Sequence, residues 1–149
     1  MKERPTDKPT MLVVEDNPDH LALTLTTLEH SGLSHHIVVA RDGLEALDYL
    51  LGQGAYSERH LLEPPELVLL DLGMPKMDGL QVLQRMRSNP RTALIPVIML
   101  TAASEQSGAV QALQGGLNSY ISKPLDFDEF EARLEEIRAW RISNFAPPK

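Results

Sequence analysis

Apolar residues in this chain recur as short bursts, and each burst is followed by a turn and then by a segment of helical spacing. Bursts this short and continuous are typical of parallel β-strands covered on both faces, because neither side of such a strand meets water. Five bursts predict five strands: MLVV at 11–14, HIVVA at 36–40, LVLL at 67–70, PVIML at 96–100 and SYIS at 119–122. The pattern therefore predicts five successive βα units.

The segments after the bursts carry leucine and other apolar residues three or four positions apart, which predicts amphipathic helices. We expect these helices at 18–31, 43–51, 80–87, about 105–113 and 126–142. In the second helix, Leu44, Leu47 and Leu51 mark the face that we expect to be buried. Strands that alternate with helices predict an α/β fold with helices on both faces of the sheet, which is a three-layer sandwich.

Polar side chains follow four of the predicted strands at the point where each strand ends. Glu15 and Asp16 come after the first strand, Asp71 after the third, Thr101 after the fourth and Lys123 after the fifth. Open α/β sheets bind ligands at this edge, and we expect a flavodoxin-like five-stranded parallel sheet in the order 2-1-3-4-5. The first and third strands are then neighbours about 4.8 Å apart. Asp16 and Asp71 can therefore converge on one cation, while Lys123 reaches back along its stem.

Asp71 directly follows the apolar run LVLL, where the burial of a carboxylate without a partner is costly. Close carboxylates repel one another unless a hard cation neutralises them, and a few carboxylates completed by water are the ligand set that Mg²⁺ prefers. We therefore expect Asp71 to be exposed at the edge of the sheet as part of a magnesium site.

The composition of the chain limits the kinds of partner and the cellular location that we expect for the protein. The chain has 149 residues, enough for one domain, and 14 basic against 21 acidic residues give a net charge of −7. This acidic balance argues against a nucleic acid or an anionic membrane as partner. There is no cysteine, the apolar runs are too short to cross a bilayer, and the polar start is unlike a signal peptide. These features predict a cytoplasmic protein.

The division of the chain follows from the same pattern. We expect a polar N-terminal tail at 1–10, one domain at 11–143 and a C-terminal tail at 144–149. Glycines and prolines between residues 52 and 66 indicate an irregular surface loop before the third strand. His35 and His36 have no cysteine or acidic residue nearby in the sequence, so we expect imidazoles at the surface or at a strand edge.

Four groups of residues, at the ends of four predicted strands, resemble the receiver domain of two-component response regulators. They are Glu15-Asp16, Asp71-Leu72-Gly73-Met74-Pro75 with Asp78-Gly79, Thr101-Ala102 and Lys123-Pro124. The resemblance extends from Met11 to Ile142, and the four groups together are far more specific than any one of them. It implies that Asp71 accepts a phosphoryl group from the phosphohistidine of a sensor histidine kinase.

The resemblance also implies a metal site and a cofactor. In this family pattern, Mg²⁺ is bound by Asp16, Asp71 and the backbone carbonyl of Gly73, and Glu15 holds the metal through water.

The remaining implied roles concern charge and switching. Lys123 and the Thr101 hydroxyl would contact the phosphoryl oxygens, and Thr101 would turn inward together with Tyr120 after phosphorylation. Such a receiver assists its own phosphorylation and dephosphorylation but is not an enzyme in the ordinary sense. Too little chain follows Asn144 for a DNA-binding domain, so we expect signalling by protein contact or by phosphoryl relay.

Two other function classes use similar residues. A phosphohydrolase of the haloacid dehalogenase type needs a second aspartate two positions after its nucleophile, and Gly73 occupies that position. A receiver-like module that is never phosphorylated usually lacks part of the acidic set, whereas this chain has Glu15, Asp16 and Asp71. Both alternatives therefore fit less well than a phosphorylated receiver.

Further segments resemble the stand-alone regulators that are linked to phytochrome-type histidine kinases, in which dimers are common. These segments are DYLLGQGAY at 48–56, LLDLGMPKMDG at 69–79, LNSYISKP at 117–124 and the tail after Trp140. The partner implied is a bacteriophytochrome kinase. The last helix also carries more apolar residues than one sheet-facing stripe needs, so we expect a homodimer that uses this helix and the fifth strand, with the C-terminal tail contributing. The residues in question are Phe127, Phe130, Leu134, Ile137 and Trp140.

Overall fold

A computed structural model describes residues 9–30, 35–57, 64–102, 104, 116 and 119–145 of the chain. Five parallel strands form one sheet: Thr10–Val14 (β1), His36–Ala40 (β2), Leu67–Asp71 (β3), Val97–Thr101 (β4) and Ser119–Ser122 (β5). Their order, β2-β1-β3-β4-β5, confirms the predicted topology. Strand order reverses between β1 and β3, so the carboxyl ends of these two strands lie side by side.

The helices follow the predicted periodicity closely. They are Pro18–His30 (α1), Gly43–Leu51 (α2), Gly79–Arg87 (α3) and Phe127–Phe145 (α4), with a short 3₁₀ turn at Gly54–Tyr56. The α2 boundaries are those predicted, and α4 ends at Phe145 rather than at Ile142. The helix predicted at 105–113 lies outside the described residues. Within the described part of the chain, no helix combines the length and hydropathy that a membrane span requires.

Alternate residues of the strands build two apolar cores, one on each face of the sheet. The core that α2 and α3 cover includes Leu12, Val14, Leu70, Leu47, Leu83 and Met99. The core that α1 and α4 cover includes Val13, Leu69, Ile98, Leu28, Phe130 and Leu134. This arrangement confirms the three-layer sandwich. Because Asp71 continues the alternation of Leu67 and Leu69, its side chain belongs to the face under α1 and α4.

The buried face of α2 differs from the predicted one. Leu44 is 61% exposed, and the helix instead packs through a face that begins at Gly43 and includes Ala46 and Leu47. A Cβ at Gly43 would lie 2.8 Å from Cγ2 of Val82, so the small residues of α2 let it approach α3 closely. The spacing of leucines along α2 could not predict this buried face, because the need for small residues comes from the neighbouring helix α3.

The start of α3 explains the Asp78-Gly79 pair. The Asp78 carboxylate accepts from the Gln81 backbone N–H at 3.0 Å, and the Gln81 side chain accepts from the Asp78 N–H at 2.9 Å, which is a capping box. A Cβ at Gly79 would lie 2.7 Å from the carbonyl oxygen of Asp71. Glycine at this position therefore lets the first turn of α3 rest directly against the end of β3.

His36 is exposed, as expected, and His35 directly precedes the edge strand β2, but the imidazole of His35 is buried and has an acidic partner that was not expected. The His35 side chain is only 2% exposed, and its Nε2 lies 2.6 Å from Oε1 of Glu66. Arg138 of α4 contacts the same carboxylate oxygen at 2.9 Å. The first residues of β2 and β3 lie at one edge of the sheet, which brings His35 and Glu66 together despite their separation in sequence.

Candidate functional site

The three predicted acidic residues come together at the carboxyl edge of the sheet. One carboxylate oxygen each from Glu15, Asp16 and Asp71 lies within 4.8 Å of the others. Glu15 and Asp71 are 1% and 2% exposed, whereas Asp16 is open to solvent. The expectation that Asp71 is exposed was therefore wrong, because the alternation of β3 directs its side chain beneath α1 and the loop that follows β5.

Lys123 follows β5, and its side chain extends past the end of β4 to reach the acidic group at the ends of β1 and β3. Its Nζ lies 2.8 Å from Oδ1 of Asp71 and 3.3 Å from Oε1 of Glu15. The second contact is an ion pair without hydrogen-bond geometry. The backbone N–H of Lys123 donates to the carbonyl oxygen of Thr101 at 2.8 Å, which ties the base of the side chain to the end of β4. The structure thus supplies the buried Asp71 with the partner that its burial requires.

The carboxylates of this group lie close together, so their negative charges repel one another. Burial, and then the adjoining Asp71 carboxylate, raise the pKa of Glu15 to about 7, although the Asn17 N–H and Lys123 act in the opposite direction. Partial burial acts to lower the pKa of Lys123, but Asp71 and then Glu15 outweigh it, so the pKa lies above its ordinary value. One ammonium thus does not neutralise three carboxylates.

The donor set fits a hard divalent cation. Carboxylate oxygens are the ligands that such ions prefer, and added positive charge favours the ionised form of Glu15, which burial and then the Asp71 carboxylate disfavour. Gly73 is exposed in the turn after Asp71, and its N–H donates to Oδ1 of Asp71 at 3.2 Å. Glu15, Asp16 and Asp71 are therefore suited to hold a cation at the mouth of the site.

Thr101 and Tyr120 share one face of the sheet. Met99 pairs in register with Tyr120, and Thr101 follows Met99 by two residues, so all three project to the same side. Thr101 is fully buried, and the half-buried Tyr120 packs against the core under α2 and α3. The predicted switch residues thus lie on neighbouring strands and on the same face of the sheet.

Two further residues contribute to the site and were not predicted from the sequence. The Asn17 side-chain oxygen accepts from the N–H groups of Asp19 at 2.9 Å and His20 at 3.1 Å, which caps α1. Asparagine followed by proline is a recognisable helix-start signal, so Asn17 could have been identified. His20 Nδ1 lies 3.4 Å from Nζ of Lys123, a contact that local sequence does not signal.

Comparison with known proteins decides the family. The family model for the response regulator receiver domain matches residues 11–135. The chain belongs to this family. Receiver domains are signalling proteins that are typically phosphorylated on an aspartate, bind a divalent metal and pair with histidine kinases. The phosphohydrolase alternative is thereby removed.

Three relatives illustrate the range of this similarity. Over 131 residues the receiver is 39% identical to the probable methanogenesis regulatory protein FilR2 of Methanothrix harundinacea, covering 87% of this chain and 81% of that protein. It is 43% identical to the solved bacteriophytochrome response regulator AtBRR, with a TM-score of 0.81 and coverage of 89% and 94%. Response regulator Rcp1 of Synechocystis is 28% identical over 148 residues, 99% of either chain. The Mn²⁺-bound crystal structure of Rcp1 has a TM-score of 0.70 at 29% identity, with coverage of 95% and 99%.

Proposed function

We propose that Asp71 of this receiver is the residue that accepts a phosphoryl group from the phosphohistidine of a sensor histidine kinase. The observation that carries the proposal is the convergence on one Asp71 oxygen of the Lys123 ammonium, 2.8 Å away, and the Gly73 N–H, 3.2 Å away. A carboxylate held among fixed positive donors is suited to covalent phosphoryl chemistry, which depends mainly on positioning and charge neutralisation.

The proposed transfer forms one bond and breaks one. An Asp71 carboxylate oxygen forms a bond to phosphorus while the bond from phosphorus to the donor imidazole nitrogen breaks, and the imidazole keeps the electron pair. Lys123 stays beside the reacting carboxylate, where its charge can follow the phosphoryl oxygens. Thr101, at the end of the neighbouring strand β4, would turn from the α2 and α3 side of the sheet towards Asp71, so that its hydroxyl donates to another phosphoryl oxygen. The same groups assist hydrolysis of the aspartyl phosphate, so the receiver promotes its own phosphorylation and dephosphorylation.

Mg²⁺ is the proposed cofactor. Glu15, Asp16, Asp71 and the Gly73 carbonyl would hold it, with Glu15 acting through water, and the bound ion would add positive charge at the phosphoryl oxygens. The similar protein Rcp1 has been crystallised with Mn²⁺ bound, and carboxylate and water ligands suit both Mn²⁺ and Mg²⁺. The pKa of Glu15, which burial first and then the Asp71 carboxylate raise, is in keeping with this proposal, because a bound cation would favour the charged form of Glu15.

Switching is proposed to run through Thr101 and Tyr120. A phosphoryl group on Asp71 adds negative charge and acceptor oxygens beside the end of β4, which draws Thr101 inward and lets Tyr120 follow on the same sheet face. The output is a protein contact or a phosphoryl relay, without nucleic acid as a partner, in keeping with a net charge of −7.

The proposed kinase partner is a bacteriophytochrome. The support is the 43% identity with AtBRR, a protein named as a bacteriophytochrome response regulator. A homodimer through α4 is also proposed, but on a smaller surface than the sequence suggested. Phe130, Leu134 and Ile137 are buried in the domain's own core, whereas Trp140 is 46% exposed.

Incubation with acetyl phosphate and Mg²⁺, followed by intact mass measurement, tests the proposal. We expect one added phosphoryl group on the parent chain and none on Asp71→Asn. Asp19→Asn is the matched control, because Asp19 is an exposed aspartate in the first turn of α1 and should leave labelling unchanged. Equal labelling of Asp71→Asn and the parent would show that another residue is the acceptor.

A further inference from the structure

His20 lies where the first turn of α1 meets the loop after β5. Its backbone N–H is held by the Asn17 side chain at 3.1 Å, so the position of the residue is set by the helix cap. Its side chain is not part of the cap, and the ring nitrogen Nδ1 lies 3.4 Å from Nζ of Lys123. The backbone and side chain of His20 thus have separate contacts.

Asn17 connects two of the residues that contact Lys123, namely Glu15 and His20. The Asn17 N–H donates to Oε2 of Glu15 at 3.2 Å, and Oε1 of the same carboxylate lies 3.3 Å from the Lys123 ammonium. The Asn17 side chain holds His20, and His20 returns to Lys123. The loop after β1 and the first turn of α1 therefore each contact Lys123, the loop through the Glu15 carboxylate and the helix through the His20 imidazole.

We propose that His20 is a positioning residue for Lys123 in the phosphoryl-transfer site, an inference that rests on the proposed function. A lysine ammonium has three N–H donors and no acceptor. Among the described residues its contacts are Asp71, Glu15 and His20, and the Glu15 contact is an ion pair without hydrogen-bond geometry. For the third contact to be a hydrogen bond, Nδ1 of His20 must be the acceptor, which places the ring proton on Nε2.

The surroundings of Lys123 explain why a third partner matters. The Lys123 side chain is 18% exposed, and with His20 it borders an open cleft of about 300 Å³ whose other walls include Leu23 and Leu125. Without the imidazole, the third N–H turns to water in this cleft and the flexible four-carbon stem gains freedom. The ammonium then spends less time aligned with Asp71, and phosphoryl transfer slows.

Two substitutions separate the acceptor from the bulk of the side chain. His20→Leu keeps a similar volume without an acceptor, whereas His20→Gln can present an amide oxygen to Lys123. We expect the acetyl phosphate labelling rate of His20→Leu to fall by about three- to tenfold, and His20→Gln to restore most of the rate. His30→Leu is the control, because His30 is also exposed on α1 but lies at its opposite end.

A double-substitution cycle distinguishes positioning from a structural effect. In a Lys123→Ala background, His20→Leu should cause no further loss of labelling rate, because the residue through which it acts is gone. A loss of the same size in both backgrounds, or equal rates for His20→Leu and His20→Gln, would overturn the proposal.

A measurement without phosphorylation keeps the two proposals distinct. The Lys123 ammonium protons, observed by ¹⁵N-resolved NMR, should exchange with water several-fold faster in His20→Leu than in the parent and in His20→Gln. Unchanged exchange would refute the contact whatever the labelling shows. Faster exchange in a chain that acetyl phosphate does not label would support the positioning contact and reject the phosphoacceptor proposal.

Discussion

Asp71 combines burial with a high local density of negative charge. It is 2% exposed, it lies within reach of Glu15 and Asp16, and Lys123 is the cation in contact with it in the described part of the chain. A buried carboxylate of this kind is stabilised by added positive charge. At the scale of single residues, the acidic cluster is therefore arranged to bind a cation.

Asp16 is the cluster member whose removal tests cation binding with the least disturbance of the core. It is exposed, so Asp16→Asn leaves burial unchanged while it removes one negative charge from the site. We expect Mg²⁺ affinity to fall by about tenfold or more, measured by isothermal titration calorimetry, and labelling to slow. Asp19→Asn removes the same charge outside the cluster and should bind Mg²⁺ as the parent does. Equal affinities for the two variants would contradict a site at Asp16.

At the level of secondary-structure elements, side-chain contacts connect β2, β3 and α4 at the amino edge of the sheet. Glu66, directly before β3, accepts from His35 before β2 and from Arg138 of α4. These contacts, His35 first and Arg138 after the opposing effect of burial, lower the pKa of Glu66 to about 2. They connect two strands and a helix at the edge opposite the acidic cluster.

The lowered pKa of Glu66 predicts a pH-dependent contribution to stability. Since the folded-state pKa lies below the ordinary value of 4.5, the contribution is complete above about pH 4.5 and is lost as the pH falls towards 2. In urea unfolding at pH 7, Glu66→Gln should lower the free energy of unfolding by about 1–3 kcal/mol. The difference from the parent should shrink near pH 3.

Glu136→Gln is the control for this experiment. Glu136 accepts from Arg133 within α4 at 3.0 Å, but its side chain is 66% exposed. Exposed pairs of this kind contribute about 0–1 kcal/mol. A pH-independent loss in Glu66→Gln, or a loss no larger than that in Glu136→Gln, would argue against the buried connection.

Arg87, the last residue of α3, fixes the connection to β4. Its Nη1 donates to the carbonyl oxygens of Ala93 at 3.1 Å and Ile95 at 2.8 Å, and its Nε donates to that of Gly116 at 2.9 Å. Burial lowers the pKa of this guanidinium. Gly116 has φ +104°, and a Cβ there would lie 3.0 Å from Nε of Arg87, so glycine permits both the backbone and the contact.

Replacement of Arg87 should therefore destabilise the domain. Arg87→Met keeps the apolar stem and removes the donors, leaving partly buried carbonyl groups unsatisfied, at a cost of about 2–4 kcal/mol in the free energy of unfolding. Arg85→Met, at an exposed position of the same helix, should change stability by less than about 0.5 kcal/mol. Chemical denaturation monitored by circular dichroism compares the two, and equal losses would contradict this role of Arg87.

At the scale of the whole molecule, burial reduces the apolar surface left for a partner. The α4 residues that contact the sheet are covered, and Trp140 is the large hydrophobic residue of α4 that stays exposed in the described side chains. Among the described side chains of α4, the surface proposed for self-association therefore centres on Trp140.

Light scattering tests that expectation. We expect the parent chain to be a dimer and Trp140→Gln to shift it towards monomer, because the substitution removes an exposed apolar side chain of α4. Deletion of residues 144–149 tests the contribution of the tail that the sequence predicts. Leu94→Gln is the control, since Leu94 is 65% exposed but lies in the loop before β4. A monomeric parent would contradict self-association, and an unchanged dimer after the deletion would exclude only the terminal segment.

The elements, their order and the edge of the sheet at which the polar residues lie could all be predicted from the sequence. The boundaries of β2 and α2 could be predicted because hydrophobic periodicity is a local property. The gathering of Glu15, Asp71 and Lys123 could be predicted because parallel strands place their carboxyl ends at one edge.

The burial and the pairing of side chains depend instead on how the elements pack. Leu44 is exposed because α2 packs against α3 through its small residues. Asp71 is buried because helices and loops cover its face of the sheet. The contact of His20 with Lys123 joins residues 103 positions apart. Such contacts depend on how whole elements pack against one another, and no local pattern of hydrophobic and polar residues contains that packing.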